Sequence, residues 1–179
     1  MSRDLIPELS YEKIAAFDSA TLSTLSDALE NHGFFTVTNH GINDSLLDDS
    51  YDLAKKFFNL DNSIKATYSR PEHGGARGYT PFGKETALGE KVPDLKEFWH
   101  HGPKIDHTYD DRIKGNISVK EIDKFSPHFD TLFTSLNNVG MGVLSAIAEV
   151  LNLEKDFFNN WVIKGNSVLR LIHYPPVKD

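Results

Sequence analysis

The sequence predicts an α+β fold, and three observations predict it. One long apolar stripe at helical spacing runs from Phe129 to Leu151, and two shorter amphipathic helices precede it. Around them lie short β-branched and aromatic runs that end at Gly or Pro. No internal repeat, low-complexity tract or linker separates these elements into blocks with their own apolar stripes, so one domain spanning residues 1–179 is expected.

From Asp18 onward Leu22, Leu25 and Leu29 recur at helical spacing. Asp18 or Ser19 is placed to cap this helix, and Gly33 to stop it in a left-handed conformation. Phe34 to Thr38 is a short strand-like run, and Asn39-His40-Gly41 turns the chain. The next helix is expected from about Asn43 to Asn59. It has Leu47, Ser50, Ala54, Phe57 and Phe58 on one face, with Asp48, Asp49, Asp52, Lys55 and Lys56 largely opposite. Between Arg70 and Gly89 five glycines and two prolines without periodicity mark a long loop, of the kind that is usually functional. Leu95 to His101 returns to strand character and ends at Gly102-Pro103. Ser126 can cap the longest helix and Pro127 suits its first position. Its stripe continues through Phe129, Leu132, Phe133, Leu136, Val139, Val143, Leu144, Ile147 and Leu151. A helical piece near Glu154 to Trp161 precedes a buried terminal strand, Asn166 to Tyr174, closed by Pro175-Pro176.

Composition narrows the functional classes. A chain of 179 residues with 39% hydrophobic and 11% aromatic residues can bury about two-thirds of its unfolded surface in one core. With no cysteine, thiolate metal sites and cysteine nucleophiles are excluded, which leaves His, Asp and Glu as metal ligands. A net charge of -7 and a pI near 5.6 argue against nucleic acid or an anionic membrane as partner. No apolar run of signal-peptide length follows Met1-Ser2-Arg3-Asp4, and no stretch approaches the roughly 20 apolar residues of a membrane span. A cytoplasmic protein is the expectation.

Three groups of polar residues invite a chemical reading. His128-Phe129-Asp130 has the His-x-Asp spacing of a non-haem iron ligand pair. On a helix, however, residues two apart lie about 200° around the axis, so the two side chains diverge and Asp130 instead favours the helix dipole. His100, His101 and His107 form a second group. Neighbouring strand residues face opposite sides, so His100 and His101 do not line one site without a bulge, and ordinary strand-end histidines are expected. The third group is the terminal strand, where Val168, Arg170, Ile172 and Tyr174 share one face and Leu169, Leu171 and His173 the other. Arg170 either pairs with an acidic residue or, with Tyr174, faces a polar cavity and binds an anionic small molecule. No catalytic residue and no metal ligand is assigned.

Four segments together resemble the isopenicillin N synthase-like branch of the iron(II)/2-oxoglutarate-dependent oxygenases. They are Gly-Phe-Phe-Thr-Val-Thr-Asn-His-Gly-Ile (Gly33 to Ile42), Arg-Gly-Tyr-Thr-Pro-Phe-Gly-Lys-Glu (Arg77 to Glu85), Asp-Leu-Lys-Glu-Phe-Trp (Asp94 to Trp99) and Leu-Arg-Leu-Ile-His-Tyr-Pro-Pro (Leu169 to Pro176). The resemblance implies a double-stranded β-helix, or jelly roll, braced by an N-terminal region of helices and a few strands. This chain is similar to that region, about 1–163, plus the first barrel strand, 164–179. By the same resemblance His40 is a turn residue, Tyr174 binds 2-oxoglutarate, and Arg170 faces the substrate, a small molecule. The cofactors implied are iron(II) and 2-oxoglutarate.

The family's His-x-Asp, distant His and Arg-x-Ser follow the Tyr-Pro-Pro segment. The expectation is therefore a truncated, incomplete domain that lacks the iron ligands, binds neither cofactor alone and is inactive alone. Two alternatives remain at this point. One is a non-catalytic module that pairs with another chain or self-associates through the exposed edge of its terminal strand. The other is a histidine metal site at His100, His101 and His107.

Overall fold

The computed structural model describes residues 6–86, 89, 92 and 94–176. Met1 to Asp4, part of the expected loop before Gly89, and Val177 to Asp179 at the end of the terminal segment lie outside the described residues. The chain groups into two compact units. The described residues of Met1–Ile42 and Ser135–Ile163 form one, and those of Asn43–Thr134 and Lys164–Asp179 the other.

The first unit opens with β1 (Glu8–Ser10) and α1 (Tyr11–Ala15), neither of which has a strong enough sequence pattern to be expected. In α2 (Ser19–Asp27) Asp18 is the cap, accepting from Thr21 N at 2.9 Å and from Thr21 Oγ1 at 2.7 Å. The chain does not run on as an α-helix to Gly33. Ala28–His32 is a π-helical turn, and Gly33 closes it at φ 77°. β2 (Thr36–Thr38) is shorter than the expected run and pairs in parallel with β1, Leu9 opposite Val37. Leu9, Ile14, Leu25 and Ala146 are buried together, and Leu22, Phe35, Val37, Val143 and Ile147 pack around them.

In the second unit Asn43 caps α3 (Asp44–Phe58) by accepting from Ser45 N at 2.8 Å, and the helix has the expected bounds to within a residue. The short α4 (Asn62–Ala66) follows. The expected loop contains a 3₁₀ turn, Pro71–His73, and a strand, β3 (Gly78–Thr80). β4 is Glu97–His101.

α5 (Phe125–Val150) starts one residue before the expected cap, and Ser126 instead donates its hydroxyl to Ile117 O at 3.2 Å. By length and composition alone α5 is long and apolar enough to cross a membrane, contrary to the expectation that no stretch approaches a span. Phe125, Phe129, Leu132, Ala146 and Ala148 on this helix are nonetheless buried. α6 (Asn159–Val162) is only the end of the helical piece expected from Glu154.

β5 (Leu169–His173) completes a three-stranded antiparallel sheet in the order β3-β4-β5. The alternation expected along β5 is present, but the strand is not buried throughout. Leu169, Leu171 and His173 are half-buried, whereas Arg170 and Ile172 are exposed. One face of the sheet packs Tyr79 and Trp99 against Phe57, Phe58, Tyr68, Phe125 and Phe129, which gives the unit an aromatic core. Phe57 lies at its centre, with ring centroids 4.9 Å from Trp99 and 5.5 Å from Phe125.

Candidate functional site

The β4–β5 register brings the site's side chains together. Glu97 lies opposite His173, Phe98 opposite Ile172, Trp99 opposite Leu171, His100 opposite Arg170 and His101 opposite Leu169. Directly opposed residues share a face in an antiparallel pair, so the sheet carries two different chemistries on its two sides.

On the core side Glu97 is the centre of a buried network. Its Oε2 accepts from Lys65 Nζ at 2.8 Å and from the Tyr79 hydroxyl, and its Oε1 lies 2.8 Å from His173 Nδ1. Lys65 and Glu97 side chains are each only 5% exposed. Burial pushes the Glu97 carboxyl up, but the hydrogen bonds from Lys65, Tyr79 and His173 outweigh it and leave the group below its ordinary value. Burial and the carboxylate raise the Tyr79 phenol in turn. The His173 ring also stacks on Phe58, with centroids 5.1 Å apart.

Further along the same side His101 Nε2 lies 2.7 Å from Asp130 Oδ1, and Asn116 Nδ2 donates to that oxygen at 3.1 Å. Burial holds His101 below its ordinary value against the pull of Asp130. Beside this network Arg77 is buried. Its guanidinium occupies the space a side chain at Gly102 would need, and it donates from Nη1 to Ala76 O at 2.6 Å.

On the other side the Arg170 guanidinium carbon sits 4.4 Å from the Phe98 ring centroid, and its Nε donates to His100 Nε2 at 2.6 Å. His100 Nδ1 is 2.6 Å from Gly75 O. Arg170 Nη1 is 3.6 Å from Glu85 Oε2, a carboxylate that Lys96 Nζ also holds at 2.7 Å. Asp94 lies 2.8 Å from the same ammonium, and the hydrogen bonds that Lys96 donates to Asp94 and Glu85 raise it to about 12. The Arg170 side chain is still 37% exposed, and Tyr174, one residue past β5, is 67% exposed.

Of the two sequence-predicted site residues, Arg170 is the second residue of β5 and Tyr174 the first beyond its end. The predicted pairing of Arg170 with an acidic residue is present in loose form, alongside the exposure that an anion contact requires. His128 and Asp130 diverge as helical spacing demands, His128 Nε2 toward Ser50 Oγ at 2.7 Å and Asp130 toward His101. His100 and His101 face opposite sides of the sheet. His40 is a turn residue whose Nδ1 accepts from Ile42 N at 3.1 Å. Among the described residues no group of three or more His, Asp or Glu side chains is arranged to hold a metal ion. These residues do not fit iron.

Sequence reasoning missed Glu97, Lys65, Tyr79 and His173 as a set and His100 as the partner of Arg170. The links to Tyr79, His173 and Arg170 depend on strand register and the link to Lys65 on the packing of α4, and Glu97 is 32 residues from Lys65 and 76 from His173.

Residues 6–120 match the protein family described as non-haem dioxygenase in morphine synthesis N-terminal. A putative 2OG-Fe(II) oxygenase family protein from Caulobacter crescentus is 40% identical and superposes with a TM-score of 0.84, over 97% of this chain and 58% of that one. A full-length Neurospora crassa protein, solved in complex with alpha-KG, is 25% identical at a TM-score of 0.81, over 99% of this chain and 57% of its own. The 2-oxoglutarate-dependent dioxygenase frbA of a Dothideomycetidae species is 28% identical, over 95% of this chain and 54% of its own length. The chain thus spans about half the length of the curated relatives it matches. On this match it belongs to the non-haem dioxygenase N-terminal family, within the 2-oxoglutarate- and iron(II)-dependent dioxygenase superfamily.

Proposed function

We propose that this chain forms part of a non-haem iron(II)/2-oxoglutarate-dependent oxygenase of the isopenicillin N synthase-like branch, acting on a small molecule. The observation that carries the reading is the state of Arg170. Its inner edge is fixed on Phe98 and His100, its outer edge is exposed, and its one carboxylate neighbour among the described residues, Glu85, is 3.6 Å away and already held by Lys96. A guanidinium arranged in this way can accept an anionic group at little cost in side-chain entropy.

In this reading β5 is the first strand of a jelly roll. Tyr174 donates its hydroxyl to 2-oxoglutarate, and Arg170 takes an anionic group of the substrate. The Glu97–His173 contact fixes the end of β5 from the core side and so sets where Tyr174 begins. Iron is held by ligands other than the described residues, and the 179-residue chain by itself is inactive.

Sequencing the transcript through and past the Asp179 codon tests this. A His-x-Asp, a later His and an Arg-x-Ser are expected in the continuing frame, and their absence from all three frames would count against the reading. The purified 179-residue chain, given iron(II) and 2-oxoglutarate, is expected to form no succinate, and iron-dependent succinate formation would overturn the claim of inactivity. In the longer product Tyr174→Phe is expected to raise the KM for 2-oxoglutarate about tenfold, the effect of one lost hydrogen bond to a charged group.

A further inference from the structure

We infer that His100 is the positioning residue for Arg170, holding it ready for an anionic substrate group only while the imidazole is neutral. This rests on the reading of Arg170 as the substrate contact.

The two ring nitrogens settle the protonation state between them. Gly75 O is only an acceptor, so His100 Nδ1, 2.6 Å away, must carry the proton. Arg170 Nε is only a donor, so His100 Nε2, also 2.6 Å away, must offer its lone pair. One neutral tautomer satisfies both contacts, and the imidazolium satisfies only the first. The ring has little room to find another arrangement, being 8% exposed and tilted over Phe98 at 4.6 Å. Its Cα partner across the strands is Arg170 itself, so the backbone fixes the pairing that the side chains complete.

The charged groups around His100 favour the neutral ring. Burial is the largest influence and lowers its affinity for a proton, and Arg170 on β5 and Arg77 next to β3 act in the same direction. The Gly75 carbonyl and Glu85 oppose them. His100 accordingly titrates below its ordinary value near 6.5. A histidine lowered in the folded state contributes fully above its unfolded value and loses that contribution as pH falls through the folded one. The Arg170 contact therefore persists at neutral pH and fails on acidification. Protonation places two donors face to face, which frees the guanidinium from the sheet while Glu85 and Lys96 stay paired.

The test follows the Arg170 Nε–H resonance of the full 179-residue chain by nitrogen-edited NMR, assigned by its loss in Arg170→Lys. At pH 7.5 the proton is expected to exchange with water on the order of ten- to a hundredfold more slowly than an exposed arginine Nε–H. That protection should vanish as His100 titrates. In His100→Gln the amide can accept from Arg170 and donate to Gly75, so protection should survive to pH 5. In His100→Phe it should be absent at every pH. Protection that persists in the Phe variant, or pH-dependent loss that persists in the Gln variant, would overturn the proposal. If His100→Phe does not fold, the Gln variant and the wild-type pH series still decide it. Titration with benzoate reads the other claim. Protection that behaves as expected, with no shift of the resonance on adding benzoate, supports the role of His100 and overturns Arg170 as an anion contact.

Discussion

Glu97 shows how much of the site depends on single atoms. Three donors converge on one carboxylate, and removing it leaves the Lys65 ammonium buried with the Phe58 carbonyl at 3.0 Å as its one hydrogen-bond partner among the described residues. An unpaired buried charge costs more than the pair was worth, so Glu97→Ala is expected to destabilise the protein by about 3–5 kcal/mol, measured as a lower urea midpoint at unchanged slope. The carboxyl titrates below its ordinary value of 4.5 in the folded protein. Its stabilising effect is thus complete above that value and is lost as pH falls through the folded one. Glu97→Gln should flatten that part of the acid unfolding curve, while a curve as steep as the wild type would show that other carboxylates drive it. The segment Asp94 to Trp99 marks Glu97 for resemblance, yet its role was not legible, because its partners come from α4, β3 and β5. Where a role depends only on local geometry the sequence suffices, as the divergence of His128 and Asp130 shows.

The elements that were legible have a periodicity long enough to count. α2, α3 and α5 declare themselves by stripes of Leu and Phe, and Asp18, one of the two caps the side chains offer for α2, is the one used, whereas Ser126 does not cap α5. β3 is three residues long and lies among glycines that mark a loop, so nothing local identifies it. Its pairing with β4, Tyr79 opposite Trp99, creates it. Gly78 has φ 80°, and a methyl group there would meet the Tyr68 carbonyl and the Ile117 side chain. Tyr79 N donates to the same Tyr68 carbonyl at 3.1 Å, so the backbone has little freedom to withdraw. Gly78→Ala is expected to cost more than about 1 kcal/mol, seen as a lower melting temperature. A neutral outcome would mean that β3 yields more easily than its contacts suggest. The exposed half of β5 was misjudged for a related reason. Val168 to Ile172 is apolar enough for a buried strand, but burial depends on what covers a face, and a strand's composition does not reveal that.

For the molecule as a whole, the described residues form two apolar cores, one gathered at Leu25 and the other at Trp99. Leu25 has no exposed surface. Leu25→Ala should cost about 2–5 kcal/mol and lower amide protection in residues 6–42 first, whereas uniform loss across the chain would show that the two units open together. The unbroken stripe of α5 does not reveal that Phe125, Phe129 and Leu132 pack into one core and Ala146 into the other. The order in which the chain is made gives this layout a further consequence. Leu9, Ile14 and Leu25 close their core on Ala146, a residue translated more than a hundred codons later, and the β3–β4 pair waits for Leu169–His173 to gain its third strand. At ordinary elongation rates the first apolar cluster waits on the order of ten seconds for its last partner, a window in which it is open to aggregation.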